Sequence, residues 1–535
     1  MGNIREAKRR IEECKESSTT LNLSNLGLTN EDLNSLKDAI KTIPNLTSLF
    51  LIGNKLENFP EGIFELTGLK ELFLDGNQIK NIPEGIANLT QLETLSASKN
   101  GIASLPEDLG SLPVLKELFL SKNRLKDLPE SFTGLSSLTE LDLSDNEIER
   151  LPENVTNFSL LKELNVSGNK LEELPESTVY LRNLKTLNAE RNQLWRIPED
   201  IGKLVNLTNL NISDNRLRIL PDGIGALRKL TSLRASFNAL ESIPWQVGNL
   251  QNLKELNLSG NNLQTVTGNI TRLENLTKLN LDRNQLTMLP SQLGDMKKLE
   301  ELYVFKNKLR RLPESTSRLG QLIVLDAAVN QLDALPENMN GMRQLRELYL
   351  SENKLQNLSG SINQMDSLQK VTLFGNQLRE IPAGVIHLVQ GRNRRPARGS
   401  NLRNIPEEKD SAEMQITENP LPAQQVITDT APVELPDLSG LRGFSRRIAD
   451  LRDAEERVSL LDGSNERLNT ASNERESNIP DNPRVLNLGQ LTAAVPSRAS
   501  ANNTGETITQ QAAGRSTLRS RRQKKNKSGK KRRGI

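Results

Sequence analysis

The sequence has very little cysteine and histidine. Only Cys14 and His387 represent these residue types among 535 residues. A disulfide framework needs paired cysteines, and a zinc site needs several Cys or His ligands. The composition therefore excludes a disulfide-stapled fold and argues strongly against a zinc site. It also leaves the C-terminal region without a cysteine that could act as a nucleophile.

Aromatic residues are also scarce, at 3% of the sequence, and no apolar run reaches the length of about 20 residues that spans a membrane. An aromatic-lined pocket for a small molecule is therefore not expected. The sequence contains neither G-x-x-x-x-G-K-[ST] nor H-E-x-x-H. The first residues lack the apolar segment of a signal peptide, and Glu6 stands where a myristoylation motif needs Ser or Thr. We expect no cofactor, no metal, no small-molecule substrate, no enzymatic activity and a cytoplasmic protein.

One stretch, LKELFLDGNQIKNIP from Leu69 to Pro83, recurs along the chain with a period of 23 residues. LKELFLSKNRLKDLP begins at Leu115, and LRELYLSENKLQNL begins at Leu345. The asparagine of the repeat occupies positions 54, 77, 100, 123, 146, 169, 192, 215, 238, 261, 284, 307, 330, 353 and 376. We call these fifteen residues the ladder asparagines. A fixed period of this length indicates a solenoid of stacked repeats.

Within one repeat, the alternation of Leu72 and Leu74 around Phe73 has the period of a β-strand. A single strand cannot bury its apolar side alone, so a continuous leucine core should form only when repeats stack. We expect Asn77 to satisfy backbone groups at the turn that follows the strand, as a buried amide requires partners. Pro83 should exclude a helix and extend the return path to the next strand.

The pattern L-x-x-L-x-L-x-x-N-x-L-x-x-[LI]-P-x-x-[LIV]-x-x-L resembles the leucine-rich repeat family over residues 46–388, about two thirds of the chain. The 23-residue form with LP-E-x-[IL] resembles the intracellular Ras-group branch, which includes the Ras suppressor, scribble and erbin types. The resemblance implies an α/β solenoid, a horseshoe with a concave parallel β-sheet. It also implies a protein interaction scaffold in intracellular signalling, with a small GTPase or a signalling regulator as partner. Extracellular members usually close their ends with disulfides, which one cysteine cannot provide.

The pattern divides the chain into four parts. Residues 1–20 are predicted to form a capping helix that buries Cys14, and residues 21–390 a solenoid of about sixteen repeats, which is expected to be a monomer. From residue 391 the leucine period ends and Asn, Ser, Glu, Arg and Pro dominate, so residues 391–514 are predicted to be disordered. Within them, residues 441–461 have apolar residues at helical spacing and predict a short helix, which could be transient or fold on a partner. The last part, 515–535, is a basic tail.

The concave face is where a binding site would be expected, and aromatics gather at its two ends. Exposed aromatics on one face often mark an interface, although they could also stack on one another as neighbours along the sheet. Acidic side chains two residues before the tyrosines would suit a partner with a basic patch, or could serve solubility alone. The candidate partner-binding residues are Tyr303, Phe305, Tyr349, Phe374, Glu301, Glu347, Phe50, Phe73 and Phe119.

Basic residues are concentrated in the tail, so the charges are unevenly distributed along the chain. It holds eleven Lys or Arg and no acid, so the 70 basic and 67 acidic residues of the chain leave 59 against 67 before it. The tail could be a nuclear import signal, a site for nucleic acid or an anionic membrane, or a solvated end without a receptor. Its two clusters contain Arg521, Arg522, Lys524, Lys525, Lys530, Lys531, Arg532 and Arg533.

These observations favour a non-enzymatic scaffold or adaptor that binds a protein on its concave face. A second hypothesis is a bacterial effector translocated into a eukaryotic host, secreted into the cell and directed to the nucleus by the tail. A third is a nucleic-acid or anionic-membrane binder driven by the tail. A fourth is an unrecognised enzyme within residues 391–535.

Overall fold

The computed structural model describes residues 3–389 of the chain. These residues belong to the first of two units, 1–410 and 411–535. The chain begins with helix α1, Ile4–Ser17, continues with a strand and helix α2, Asn30–Lys41, and then repeats a strand and a short return path. The predictions for residues 391–514, for the short helix at 441–461 and for the basic tail lie outside the described residues.

Sixteen parallel strands form one sheet in the described part of the chain, and each strand pairs with the next one in sequence order. Equivalent residues of adjacent repeats pair in register, as Phe50 pairs with Phe73. The predicted solenoid with its parallel sheet is therefore confirmed. The strands β1 to β16 are Thr20–Asn22, Ser48–Phe50, Glu71–Phe73, Thr94–Ser96, Glu117–Phe119, Glu140–Asp142, Glu163–Asn165, Thr186–Asn188, Asn209–Asn211, Ser232–Arg234, Glu255–Asn257, Lys278–Asn280, Glu301–Tyr303, Val324–Asp326, Glu347–Tyr349 and Lys370–Thr372.

The leucines of every repeat form one continuous core. Leu69, Leu72 and Leu74 are each fully buried, and the equivalent residues of neighbouring repeats pack against them. Because each repeat covers the apolar side of the one before, the core extends through the whole solenoid. Burying a leucine side chain contributes about 1.5–3 kcal/mol, so this row of leucines is the main source of stability.

The ladder asparagines bind the backbone of two repeats at once, as the sequence predicted. The Oδ1 atom of Asn77 accepts the N–H of Leu56 at 3.1 Å, and its Nδ2 group donates to the carbonyls of Leu51 and Leu74 at 2.9 Å. The same pattern recurs at Asn123 and at the other ladder positions. Each buried amide is thus satisfied, and adjacent repeats are linked where the strands end.

The expectation that Pro83 excludes a helix is wrong. A short 3₁₀ helix begins immediately after it, because proline lacks an N–H that the first helical turn would leave unpaired anyway. Where the proline is missing, the Thr267 and Ser359 side chains accept a backbone N–H and cap the same helix. The 3₁₀ helices of the described residues are Glu61–Glu65, Glu84–Asn88, Glu107–Ser111, Glu130–Gly134, Glu176–Tyr180, Ile201–Lys203, Asp222–Ala226, Trp245–Asn249, Gly268–Arg272, Leu293–Asp295, Glu314–Arg318, Gly360–Gln364 and Ile386–Leu388.

Helix α1 covers the open end of the core before β1. Ala7, Ile11 and Cys14 are buried on one side of the helix. The Cys14 thiol donates to the carbonyl of Thr20 at 3.3 Å, and burial raises its pKa. A thiol in this environment packs as a small apolar group rather than acting as a nucleophile.

Candidate functional site

The concave face consists of the side chains two, four and six residues before each ladder asparagine, which point away from the leucine core. In β1, Leu26 takes the place of the asparagine. Twelve of these positions are acidic and three are basic, which gives a net charge of −9 if all are ionised. The acidic residues are Glu71, Asp75, Glu117, Glu140, Asp142, Glu163, Glu190, Glu255, Asp282, Glu301, Asp326 and Glu347, and the basic residues are Arg234, Lys278 and Lys370.

At the N-terminal end of this face, the three candidate phenylalanines are almost completely covered. Phe50, Phe73 and Phe119 are only 8%, 7% and 8% exposed. The rings of Phe50 and Phe73 stack with their centroids 4.5 Å apart and their planes 7° from parallel. This geometry matches the alternative that aromatic neighbours along the sheet pack on one another.

At the C-terminal end, the aromatic side chains are more open. Tyr303, Phe305 and Tyr349 are half-buried, and Phe374 is 58% exposed. Strands β13 to β16 bring all four together, since they lie on three of four consecutive strands. We call these four residues, with Glu301 and Glu347, the C-terminal patch.

Each tyrosine of the patch is held by a glutamate and a lysine. The Tyr303 hydroxyl donates to Glu301 Oε2 at 3.0 Å, and Lys278 of β12 forms an ion pair with the same carboxylate at 2.8 Å. Lys278 Nζ also lies 5.4 Å from the centre of the Tyr303 ring. Burial and the neighbouring Glu301 carboxylate raise the pKa of Tyr303, so it remains a neutral hydrogen-bond donor.

The second tyrosine repeats this arrangement with the lysine on the opposite side. The Tyr349 hydroxyl donates to Glu347 and accepts a hydrogen bond from Lys370 of β16 at 2.9 Å. Lys370 Nζ lies 4.8 Å from the centre of the Tyr349 ring. The two clusters therefore flank β14, with one lysine on each outer side.

Between the clusters, β14 and the residues that follow it carry short side chains. Val324 is half-buried, and Ala328 is only 8% exposed. Asp326 pairs in register with Tyr303 on one side and with Tyr349 on the other. Its Oδ1 atom accepts the N–H of Ala328 at 3.0 Å, and burial raises its pKa.

A second partly buried carboxyl, that of Asp282, follows β12, two strands from β14. Asp282 accepts the N–H of Phe305 at 2.7 Å. The pKa of Asp282 is raised to about 7, mainly by burial and to a smaller extent by the nearby Asp326 carboxylate, against the opposing effects of the Phe305 N–H and Arg283. Near neutral pH this carboxyl is therefore only partly ionised, which reduces the local negative charge.

Sequence reasoning missed the structural role of the polar residues in the middle of the face. Six asparagines and two aspartates, all four residues before the ladder position, accept the backbone N–H two residues further on. This N–H would otherwise be left unpaired at the end of the strand. The acceptors are Asn22, Asn165, Asn188, Asn211, Asn257, Asn280, Asp142 and Asp326. The repetition of Asn at this strand position was the available signal.

The residue before each ladder asparagine has a positive φ, between 51° and 68°. Glycine adopts this conformation without cost, but Phe237 and Val329 also occupy it, with φ of 51° and 54°. A β-branched side chain is strained in this region. Val329 lies next to the C-terminal patch, so part of the backbone there is held in an unfavourable conformation.

A separate set of exposed apolar residues lies outside the concave face. Trp195 and Trp245 are 56% and 54% exposed, and Ile219 and Met288 are 67% and 62% exposed. Trp195, Ile219 and Met288 lie on the segments between the strands and the following 3₁₀ helices, and Trp245 begins a 3₁₀ helix.

Leucine rich repeat models match residues 44–102, 90–148 and 159–217, a leucine-rich repeat region model matches residues 190–281, and a further leucine rich repeat model matches residues 275–296. No curated protein sequence gives a match.

Several solved structures are similar to the solenoid. A leucine-rich repeat protein of Leptospira interrogans is 31% identical, with a TM-score of 0.64, over 71% of this chain and 94% of that one. YopM, a leucine-rich effector protein from Yersinia pestis, is 28% identical, with a TM-score of 0.53, over 70% and 94%. The plant peptide hormone receptor RGFR1, solved with RGF2, is 24% identical, with a TM-score of 0.56, over 68% of each chain, and shares the fold.

The assignment to the Ras-group branch stays a prediction, because the matching models describe leucine-rich repeats in general. Within residues 3–389, no helix combines the length and apolar character needed to cross a membrane. The 23-residue pattern, the sixteen-stranded parallel sheet and the similarity to the Leptospira structure agree with one another. This chain therefore belongs to the leucine-rich repeat family.

Proposed function

We propose that this protein is a non-enzymatic binding module that holds a protein partner on the C-terminal patch of its concave face. The supporting observation is that four aromatic side chains, one exposed and three half-buried, lie at one end of the concave face, beside two lysines that bind Glu301 and the Tyr349 hydroxyl. Tyrosine and phenylalanine anchors surrounded by polar groups are typical of the energetic centre of protein interfaces. Leucine-rich repeat folds are also typical interaction scaffolds.

The three N-terminal phenylalanines have a secondary place in this proposal. Phe50, Phe73 and Phe119 expose too little surface to act as anchors that enter a pocket on the partner. They would instead form a flat apolar floor against which a large partner could rest. The carboxylates of Glu301 and Glu347 would favour a partner with basic side chains beside its aromatic contacts.

The resemblance to the Ras-group branch suggests a small GTPase or a signalling regulator as the partner, in the cytoplasm, but a fold alone does not name its ligand. A second candidate function is that of a bacterial effector translocated into a host cell, favoured by the 28% identity to YopM, an effector protein. A version without residues 515–535 tests the predicted nuclear address of the tail. An unchanged distribution in eukaryotic cells would remove that part of the second candidate.

Photo-cross-linking tests the binding surface with a matched pair of positions. A benzoylphenylalanine at position 374 reports on the C-terminal patch, and one at position 195 reports on an aromatic residue outside the concave face. Phe374 and Trp195 are almost equally exposed, at 58% and 56%. We expect the full-length protein to cross-link its partner from position 374 and not from position 195. Cross-linking from position 195 alone would move the binding site off the concave face.

The double substitution Tyr303→Ala with Tyr349→Ala should then weaken the affinity for the cross-linked partner at least tenfold. Each of the two residues should contribute about 1–2 kcal/mol or more as an interface anchor. The matched control is Trp195→Ala with Trp245→Ala, which removes two aromatic side chains outside the face. Isothermal titration calorimetry measures both affinities. Equal losses in the two double variants would contradict the proposal.

A further inference from the structure

The two tyrosines of the C-terminal patch form the walls of a slot over β14. Tyr303 and Tyr349 each lie one strand from Asp326, in the same register. Neighbouring strands are about 4.8 Å apart, so the strands that carry the rings are separated by about 10 Å. A flat group in van der Waals contact with a ring on each side needs about 7–8 Å. The slot therefore has room for one planar group.

The inner faces of both rings are free of the lysines. Lys278 belongs to β12 and Lys370 to β16, so each lysine lies on the side of its tyrosine that points away from β14. Tyr303 and Tyr349 lie on opposite sides of Asp326, one strand away in each direction. The hydroxyl groups are tied to Glu301 and Glu347, which keeps the rings in place.

The floor of the slot carries a charge that the fold does not require. Asp326 accepts one backbone N–H, and six asparagines at the same strand position do the same for their own repeats. An asparagine would therefore meet this structural need without the cost of burying a carboxylate. The negative charge at Asp326 calls for a separate explanation.

Asp142 provides the internal comparison. It occupies the same position in β6 and accepts the N–H of Ser144 at 2.9 Å. The Ser144 and Ser121 hydroxyls also donate to its carboxylate, which accounts for the charge. The corresponding residues beside Asp326 are Ala328 and Phe305, which have no hydroxyl.

The two nearby lysines, Lys278 and Lys370, already interact with other groups. Lys278 pairs with Glu301, and Lys370 bonds to the Tyr349 hydroxyl next to Glu347. Within residues 3–389, no Lys or Arg forms an ion pair of 4.0 Å or less with Asp326. A cation entering between the rings would meet this carboxylate without displacing a partner of the protein itself.

We propose that the slot between Tyr303 and Tyr349 receives one arginine side chain of the protein partner, with its guanidinium stacked between the rings and paired with Asp326. This inference rests on the proposed function and specifies the chemistry of its partner. The planar guanidinium matches the width of the slot, and it is more weakly hydrated than an ammonium. Stacking on an aromatic face adds a cation–π attraction on each side.

The test uses the full-length protein and a small probe, so it does not depend on knowing the partner. The probe is an acetylated and amidated Gly-Ser-Arg-Ser-Gly peptide, and its matched controls carry citrulline or lysine in place of arginine. Saturation-transfer NMR detects weak binding through the side-chain methylene protons of the central residue. We expect the citrulline peptide to bind at least tenfold more weakly than the arginine peptide, and the lysine peptide at least threefold more weakly.

Two variants assign the binding to the slot. Asp326→Asn keeps the acceptor for the Ala328 N–H and should weaken the affinity for the arginine peptide at least fivefold. Asp142→Asn should leave that affinity unchanged. The double variant Tyr303→Leu with Tyr349→Leu should weaken binding of the same peptide, although the Asp326 carboxylate remains. The second variant keeps the test decisive if Asp326→Asn lowers the thermal midpoint.

Three outcomes would overturn the inference. Equal binding of the citrulline and arginine peptides would mean that the slot does not select charge. Equal losses in Asp326→Asn and Asp142→Asn would indicate a general effect of the acidic face. Equal binding of the lysine peptide would contradict the choice of arginine. Because cross-linking from position 374 is independent of the peptide, the proposed function could stand while the arginine slot fails.

Discussion

The two ends of the concave face carry aromatic residues at equivalent strand positions, but their surroundings differ. At the N-terminal end, Phe50 and Phe73 lie on adjacent strands and stack on each other. At the C-terminal end, Tyr303 and Tyr349 are separated by the strand that carries Asp326, so they cannot stack directly. Phe50 and Phe73 on neighbouring strands therefore cover one another, whereas Tyr303 and Tyr349 have a strand that carries an aspartate between them.

The cations near each end sharpen this contrast. Each tyrosine at the C-terminal end has a lysine near its ring, and Arg283 lies 6.0 Å from the centre of the Phe305 ring. Phe50 and Phe73 instead have each other's ring as a neighbour. One end of the face therefore uses its aromatics mainly for packing, and the other end is where we propose that a partner binds.

The largest expected difference is in stability. Phe73→Ala should reduce the free energy of unfolding by about 2–4 kcal/mol, because it removes a buried ring and its stacking contact with Phe50. Tyr349→Ala, at the same strand position in β15, should reduce it by about 1 kcal/mol or less, because its ring is only partly buried. Urea denaturation followed by circular dichroism measures both. A larger loss for Tyr349→Ala would reverse the assignment of the two ends.

The second prediction concerns the pH dependence contributed by Asp282. Its pKa is raised to about 7 in the folded protein, so the folded state retains a proton that the unfolded chain has released. Stability therefore falls as the pH rises from about 4 to about 7. Asp282→Asn keeps an acceptor for Phe305 N–H and removes this ionisation. It should raise the free energy of unfolding by about 1–2 kcal/mol at pH 8, and have little effect at pH 4.

Asp75 is the equivalent residue at the N-terminal end and serves as the comparison. Burial raises its pKa as well, but the Ser96 hydroxyl donates to its carboxylate at 2.6 Å and Ser98 N–H at 3.1 Å. Asp75→Asn weakens both bonds, so its gain at pH 8 should be smaller than that of Asp282→Asn. Unfolding curves at pH 4 and pH 8 decide the order. A greater gain for Asp75→Asn would mean that these donors do not stabilise the carboxylate.

The smallest expected effect concerns the strained backbone beside the C-terminal patch. Val329 has a φ of 54°, which costs a β-branched residue about 1–2 kcal/mol. Val329→Asn should stabilise the protein by about 0.5–1 kcal/mol, because asparagine tolerates this conformation. Val329→Ala keeps a Cβ atom and should change stability less. A shift of the thermal midpoint to lower temperature in Val329→Asn would show that the valine side chain contributes more by packing than it loses by strain.

Much of the fold could be predicted because the 23-residue period places the same core and turn residues in every repeat. The leucines and the ladder asparagines have the roles that their spacing indicated. The 3₁₀ helices after Pro83 and its equivalents could not be inferred, since the same proline suits either an extended path or the first turn of a helix. The candidate site was harder to predict, because the sequence does not say which aromatic side chains cover one another.

The order of the strands, the single leucine core and the bonds of the ladder asparagines were determined by the sequence alone, because a local pattern that repeats in register allows only one way to stack. The exposure of each concave side chain was decided by the tertiary structure. Residues 23 or 46 positions apart, such as Tyr303, Asp326 and Tyr349, become neighbours only when the repeats are stacked. Their burial, charge pairing and open ring faces depend on which side chains the adjacent strands bring beside them.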